Sequence, residues 1–120
     1  MKALVIVAHG SRREASNNEV RELTARIKAS LKPEYQLVNT GFLELAEPLI
    51  PASIEQCIEQ GATEISVLPY FLSAGRHVQE DVPSEVQTVI NHHPKVKITI
   101  LPHIGGTPQM VNLIKESVRD

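Results

Sequence analysis

The sequence predicts an α/β domain built on an open, parallel four-stranded sheet with helices on both faces, a three-layer α/β/α arrangement of the flavodoxin-like kind. Three observations carry this. Four short apolar runs alternate strictly with four longer amphipathic stretches. The first run, Ala3 to Ala8, is continuous and rich in branched residues, as a central parallel strand covered on both faces requires. The 120 residues fit one domain, 1–120, and show no repeat, linker or low-complexity segment.

The elements follow in order. After the Ala3–Ala8 strand, Ser11 and Glu14 have capping-box spacing. Val20, Leu23, Ile27 and Leu31 then recur at helical intervals until Pro33. Gln36 to Phe42 reads as a second strand, less apolar and so nearer an edge. Leu49, Ile50, Ile54, Cys57 and Ile58 mark a second helix that starts near Glu47-Pro48 and stops at Gly61. Ile65 to Leu68 is a third strand. Val78, Val82, Val86, Val89 and Ile90 keep a helical period, within which Pro83 marks a kink or a fresh start. Val96 to Leu101 is a fourth strand. Thr107 as N-cap and Pro108 at the first helical position open a last helix, with Val111, Ile114 and Val118 on one face.

Composition narrows the function. A single cysteine excludes an internal disulfide framework and any cysteine-based zinc cage. Four aromatic residues and no tryptophan argue against gripping bases by stacking. The net charge of −2 argues against a nucleic-acid partner. The apolar run before His9 is too short for a signal core or a bilayer span, so the expectation is a cytoplasmic protein without a membrane partner.

Ligands of open α/β sheets bind outside the carboxyl ends of the strands. His9, Gly10 and Ser11 follow the first strand, and Glu44 follows the second. Ser73, Gly75, Arg76 and His77 follow the third, and His103 the fourth. His92 and His93 end a helix at the opposite edge, where imidazolium suits the helix dipole, and read as solvated or structural. One histidine after a strand is more often a loop-ordering group than a ligand. Here His9 and His77 come from distant segments and meet at one edge beside a carboxylate. Two imidazoles and a carboxylate suit a borderline divalent ion such as cobalt, iron, nickel or zinc. So few protein ligands leave an open coordination sphere, which favours transfer over storage. Arg12, Arg13 and Arg76 flank the same edge and favour an anionic ligand locally.

Other signals are weaker. Gly105-Gly106-Thr107 could cradle a phosphate in a nucleotide-binding module, yet neither GxxxxGK[ST] nor GxGxxG is present. Ser11 beside His9 lacks the GxSxG elbow of a hydrolase. Cys57 lies on the apolar stripe of its helix and reads as core.

Val-Ala-His-Gly-Ser-Arg at 7–12, Phe42-Leu43-Glu44, and the run Pro69 to His77 followed by Asp81-Val82-Pro83 resemble the class II tetrapyrrole chelatases, in particular the short CbiX-type sirohydrochlorin cobaltochelatases. Related ferrochelatases and nickelochelatases share these blocks. The similarity extends from Met1 to about His103. The resemblance implies a chelatase-like fold and insertion of a divalent metal into sirohydrochlorin, with Co²⁺ first and Fe²⁺ or Ni²⁺ as alternatives, and no organic cofactor. His9 and His77 would be the metal-binding and proton-accepting pair, with Glu44 as a further acid/base. Ser11, Arg12, Arg13, Tyr70, Leu72, Ser73, Gly75 and Arg76 are the candidate substrate-binding residues. The arginines would meet the peripheral carboxylates, and Tyr70 and Leu72 would supply apolar lining. Short members pair as homodimers around a shared cleft. Members often carry a Gly-Pro-His-Pro-type segment after the last strand, where this chain has Leu101-Pro102-His103-Ile104-Gly105, so no role passes to His103. A carrier of metal or tetrapyrrole on the same edge is the alternative function.

Overall fold

The computed structural model describes residues 1–31 and 33–119, without the His77 side chain. The branched N-terminal run forms strand β1 (Lys2–Ala8), buried from Ala3 onward. Helix α1 (Glu14–Ser30), strand β2 (Leu37–Phe42), helix α2 (Ile50–Glu59) and strand β3 (Glu64–Pro69) follow. A π-helical turn (His77–Asp81) runs into helix α3 (Val82–Ile90). Strand β4 (Lys97–Ile100), a 3-10 turn (Ile104–Gly106) and helix α4 (Pro108–Ser117) complete the described chain. The sheet order is β2-β1-β3-β4, and every strand pair is parallel. That is the flavodoxin-like order, with the less apolar β2 at an edge as its composition required. Among the described residues, no helix is long and apolar enough to cross a membrane.

Alternation along β1 divides the core into two layers. Ala3, Val5 and Val7 pack against Ile50, Ile54 and Cys57 of α2 and Val82, Val86 and Val89 of α3. Leu4 and Ile6 face the other way, with Ile27 and Leu31 from α1 and its C-terminal end. Each fully buried Val or Ile contributes about 1.5–3 kcal/mol, so these two layers hold the sheet. Burial pushes the Cys57 thiol up to about 11 against a smaller opposing effect of the Asn39 amide, which donates to Sγ at 3.2 Å. Cys57 is therefore an inert core residue, as its place on the helix stripe indicated.

Several expectations need correction. The Ser11–Glu14 capping box does not form. Helix α1 starts after Arg13, without a side-chain cap, because the buried Asn17 amide takes both backbone groups of Ser11: it accepts from the N–H at 2.9 Å and donates to the carbonyl at 2.8 Å. The Ser11 hydroxyl instead accepts the Arg13 N–H at 3.0 Å, and the Glu14 carboxylate pairs with Arg21. Helix α2 begins at Ile50 rather than near Glu47, since residues 43–48 form a loop whose Pro48 carbonyl accepts the Phe42 N–H at 2.8 Å. Of the two readings of Pro83, the structure takes the fresh start, with Pro83 in the first turn of α3. Thr107 precedes α4, yet its hydroxyl donates back to the Ile104 carbonyl at 2.7 Å and caps nothing. The last departure is the largest. Val111, Ile114 and Val118 share a face, as their spacing required, but they are 60%, 57% and 75% exposed, and no α4 residue is buried. Among the described residues, the side of the sheet covered by α1 therefore has no second helix packed on it.

Candidate active site

The sheet order places the crevice between β1 and β3, where the chain leaves toward α1 on one face and α3 on the other. This is the topological switch point at which open α/β sheets take ligands. The β1–β2 ladder continues past the strands: the Leu43 N–H donates to the Ala8 carbonyl at 2.9 Å, and the Glu44 N–H to the His9 carbonyl at 3.0 Å. These bonds set Glu44 beside His9, and His9 Nε2–H donates to Glu44 Oε2 at 2.8 Å. Side-chain exposures of 41% and 53% leave both within reach of a ligand from solvent.

Gly10 makes this approach possible. Its φ is +95°, and an added Cβ would lie 1.7 Å from the Glu44 carbonyl oxygen. Only glycine fits there. Leu45, the residue after Glu44, has φ of 65° and is 52% exposed, and Leu49 is 45% exposed. The far end of this loop is tied to α1 by Arg21, which donates to the Glu47 carbonyl at 2.7 Å and to Asn18 at 2.9 Å. The Arg21 guanidinium also lies 5.0 Å from the centre of the Phe42 ring. Its ion pair with Glu14 holds that carboxyl below the usual carboxylate range, with the Asn17 amide adding to the effect.

The other candidates line the same edge or fall away from it. Tyr70 begins the segment after β3, its N–H donating to the Val7 carbonyl at 2.7 Å. It is 40% exposed, and Leu72 is 74% exposed. Ser73 and Gly75 are exposed in the loop before the π-helical turn. Arg76 is exposed and pairs with Glu80 at 2.9 Å. Arg12 and Arg13 are exposed where the chain enters α1. Ser11 is engaged in the Asn17 loop. The backbone of His77 opens the π-helical turn, while its side chain lies outside the described ones. His103 packs over Gly106, whose added Cβ would meet the ring at 2.7 Å; its role is in the turn. The Gly105-Gly106-Thr107 segment is likewise a packed turn, with Gly105 N–H donating to Phe71 at 2.9 Å. His92 and His93 are structural: the first donates to the Thr88 carbonyl at 2.8 Å, and the second meets Glu55 at 2.9 Å.

Sequence reasoning gave Arg21 and Leu45 no part at this edge and counted Leu49 with the second helix, whereas it precedes that helix and is 45% exposed. Leu45 gives no periodic signal, but the Glu47-Pro48 pair ahead of a helix marks a turn in which exposed apolar residues can sit. A hollow of about 290 Å³ beside the loop is lined by Leu43, Glu44, Asp81, Ser84 and Glu85. That is the lower end of ligand-pocket volumes, far short of enclosing a macrocycle. Among the described residues, no group of three or more His, Cys, Asp or Glu side chains is placed to hold a metal ion.

An open α/β sheet with an imidazole–carboxylate pair at its switch point has the layout of the α/β class of proteins that take ligands outside the carboxyl ends of their strands. Within that class, the chain belongs to the CbiX family, whose model matches residues 3–120. It is 34% identical over 120 residues to the sirohydrochlorin ferrochelatase of Priestia megaterium, covering all of this chain and 44% of that protein. It is also 34% identical over 116 residues to the sirohydrochlorin cobaltochelatase of Sulfolobus acidocaldarius, covering 97% of this chain and 89% of that one. Among solved structures, SirB from Bacillus subtilis with Fe³⁺ superposes with a TM-score of 0.85 and 32% identity, over 96% of this chain and 45% of that chain. The chain thus spans about half the length of the ferrochelatase relatives it matches.

Proposed function

We propose that the protein is a sirohydrochlorin chelatase, inserting a divalent metal into the free-base macrocycle, with His9, Glu44 and His77 at the reacting centre. The observation that carries this is the His9–Glu44 hydrogen bond at the mouth of β1. Metal insertion replaces two pyrrole N–H protons with one M²⁺ ion, so two protons must leave as the ion enters. With Nε2–H directed to Glu44, the neutral imidazole has Nδ1 as its basic nitrogen. Once the ion has passed to the macrocycle, His9 accepts one pyrrole proton there, the Glu44 carboxylate stabilises the imidazolium that forms, and His77 accepts the second proton. The same nitrogen is a weak, exchangeable ligand for the incoming ion, and the carboxylate behind it fixes the ring as a metal site needs. His77, whose backbone opens the turn after β3, is the proposed second ligand of the pair. Arg12 and Arg13 meet the carboxylates on the macrocycle rim, and Tyr70 and Leu72, with Leu45 and Leu49, line its faces.

Cobalt is the proposed ion, with iron and nickel accepted by the same imidazole–carboxylate set. Relatives named for cobalt and for iron both occur, so a rate comparison decides. A site this open also supports a homodimer in which each copy walls the cleft of the other. The reading carries with it the cytoplasmic location that the sequence led us to expect.

The test follows absorbance on mixing the protein with sirohydrochlorin and Co²⁺, Ni²⁺ or Fe²⁺. Turnover in excess of protein, fastest with Co²⁺, supports the reading. One-to-one capture without release would instead make the protein a carrier. No acceleration over the spontaneous rate with any ion would refute chelation.

A further inference from the structure

Helix α1 buries polar residues where an amphipathic helix ordinarily buries apolar ones. Among its described residues, the two that are buried are Asn17 and Thr24, while Val20, Leu23 and Ile27 are half-buried. Burying an amide costs free energy unless its hydrogen bonds are met inside the protein, and here they are. The Asn17 amide clamps Ser11 from both sides of its peptide, accepting from the N–H at 2.9 Å and donating to the carbonyl at 2.8 Å. Thr24 seats the middle of the helix on β2, where its hydroxyl accepts from the Thr40 hydroxyl at 2.8 Å.

Glu14, Asn17, Asn18 and Arg21 stand at i, i+3, i+4 and i+7 and share one face of α1. This stripe reaches both loops that carry the His9–Glu44 pair. Asn17 holds Ser11, which follows His9 across the left-handed turn at Gly10. Arg21 holds the Glu47 carbonyl at 2.7 Å, in the loop that begins with Leu43 and Glu44. Glu14 links the two anchors: its carboxylate pairs with Arg21, and the Asn17 amide adds to the hold on it. Asn18 also accepts from the guanidinium, at 2.9 Å.

We propose that Asn17 and Arg21 are positioning residues for the His9–Glu44 pair, Asn17 setting His9 and Arg21 setting Glu44, so that one helix fixes the separation of the two side chains. Side chains as exposed as these keep a productive geometry only where the backbone that carries them is fixed. The continued β1–β2 ladder fixes the near ends of the two loops, and the α1 stripe fixes their far ends. The inference rests on the reading of His9 and Glu44 as a base and its orienting carboxylate. It adds two residues that act only through that pair.

The test measures Co²⁺ affinity by calorimetry and the rate of Co²⁺ insertion into sirohydrochlorin, on the full chain. The variants are Arg21→Ala and Asn17→Ala, each alone and combined with Glu44→Ala. Val89→Ala, in the core on the other face of the sheet, controls for lost stability. Arg21→Ala should weaken Co²⁺ binding and slow insertion about 10–100-fold, the usual cost of losing the support behind a metal ligand, and by no more than Glu44→Ala does. Added to Glu44→Ala it should cost nothing further, because the residue it positions is gone. Asn17→Ala should cost a similar factor and keep it in the Glu44→Ala background, because it holds His9. If Asn17→Ala does not fold, Asn17→Asp, which keeps only the acceptor for the Ser11 N–H, takes its place with the same expected pattern. A merely structural role predicts that Arg21→Ala loses the same factor with and without Glu44, matched by Val89→Ala at equal stability. That pattern, or unchanged affinity and rate in either single variant, overturns the proposal. A parent chain that binds Co²⁺ without inserting it refutes chelation, and the affinities then decide the positioning alone. A parent chain that does neither overturns both.

Discussion

His9 Nε2 lies 2.8 Å from Glu44 Oε2, joining the ends of two neighbouring strands, β1 and β2, that run in the same direction. The two residues are far apart in sequence, yet parallel pairing with Ala8 opposite Phe42 brings them to one level. A carboxylate that orients an imidazole is the arrangement by which proteins make histidine both a better base and a better ligand. The pair therefore offers a base and a ligand at one point on the sheet edge, the two things the proposed metal insertion needs.

Gly10→Ala tests how this pair is held. The substitution forces a Cβ into the Glu44 carbonyl at a residue with φ of +95°. Strain in the left-handed region and displacement of the 43–48 loop should lower stability by about 2–4 kcal/mol. Urea unfolding measures the loss, and the insertion rate should fall further than stability alone explains. Unchanged unfolding midpoint and rate would mean that the loop does not need this contact.

Arg21→Ala removes the tie between α1 and the loop that carries Glu44. The lost hydrogen bond to the Glu47 carbonyl and the contact with Phe42 should cost about 1–2 kcal/mol. Arg21→Lys restores only part, because an ammonium cannot hold several acceptors in the fixed fork of a guanidinium. Glu14 reports the change directly. Its carboxyl is held low by Arg21, so its contribution to stability is present above the ordinary carboxylate pKa and is lost as pH falls through the lowered folded value. NMR titration should show the Glu14 pKa moving up toward the ordinary value in Arg21→Ala, and no movement would contradict the pairing.

Cys57 should resist alkylation in the folded protein at pH 8, since its thiol is pushed up to about 11 and is fully buried. The neutral thiol contributes fully below the unfolded value of about 8.5, and that contribution is lost as pH rises through about 11. Labelling with iodoacetamide should therefore track unfolding in urea. Rapid labelling without denaturant would show that the α2 core opens readily.

The sheet was legible because its strands are short, branched and separated by helical periods, and parallel pairing with right-handed crossovers leaves few alternatives. The site edge followed from asking what comes after each strand. Other features depended on contacts that have no period. Asn17 displaced the Ser11–Glu14 cap through hydrogen bonds to a loop six residues away. Arg21 reaches Glu47 only because α1 crosses that loop. The apolar spacing of Val111, Ile114 and Val118 fixed a helical face but carried no information on what covers it. The sequence put Arg12, Arg13 and Arg76 at one edge but carried no sign of the exposed pair that Arg76 makes with Glu80.

The most direct measurement of the central claim is a double-mutant cycle on insertion of Co²⁺ into sirohydrochlorin, using His9→Ala, Glu44→Ala and the combined variant. If His9 is the base and Glu44 acts through it, His9→Ala should slow insertion about 10²–10⁴-fold. Glu44→Ala should cost less, and the double variant should be no slower than His9→Ala alone, as for residues that act as one unit. Losses that multiply would show two groups working independently, and a rate in His9→Ala equal to that of the parent protein would contradict the account outright.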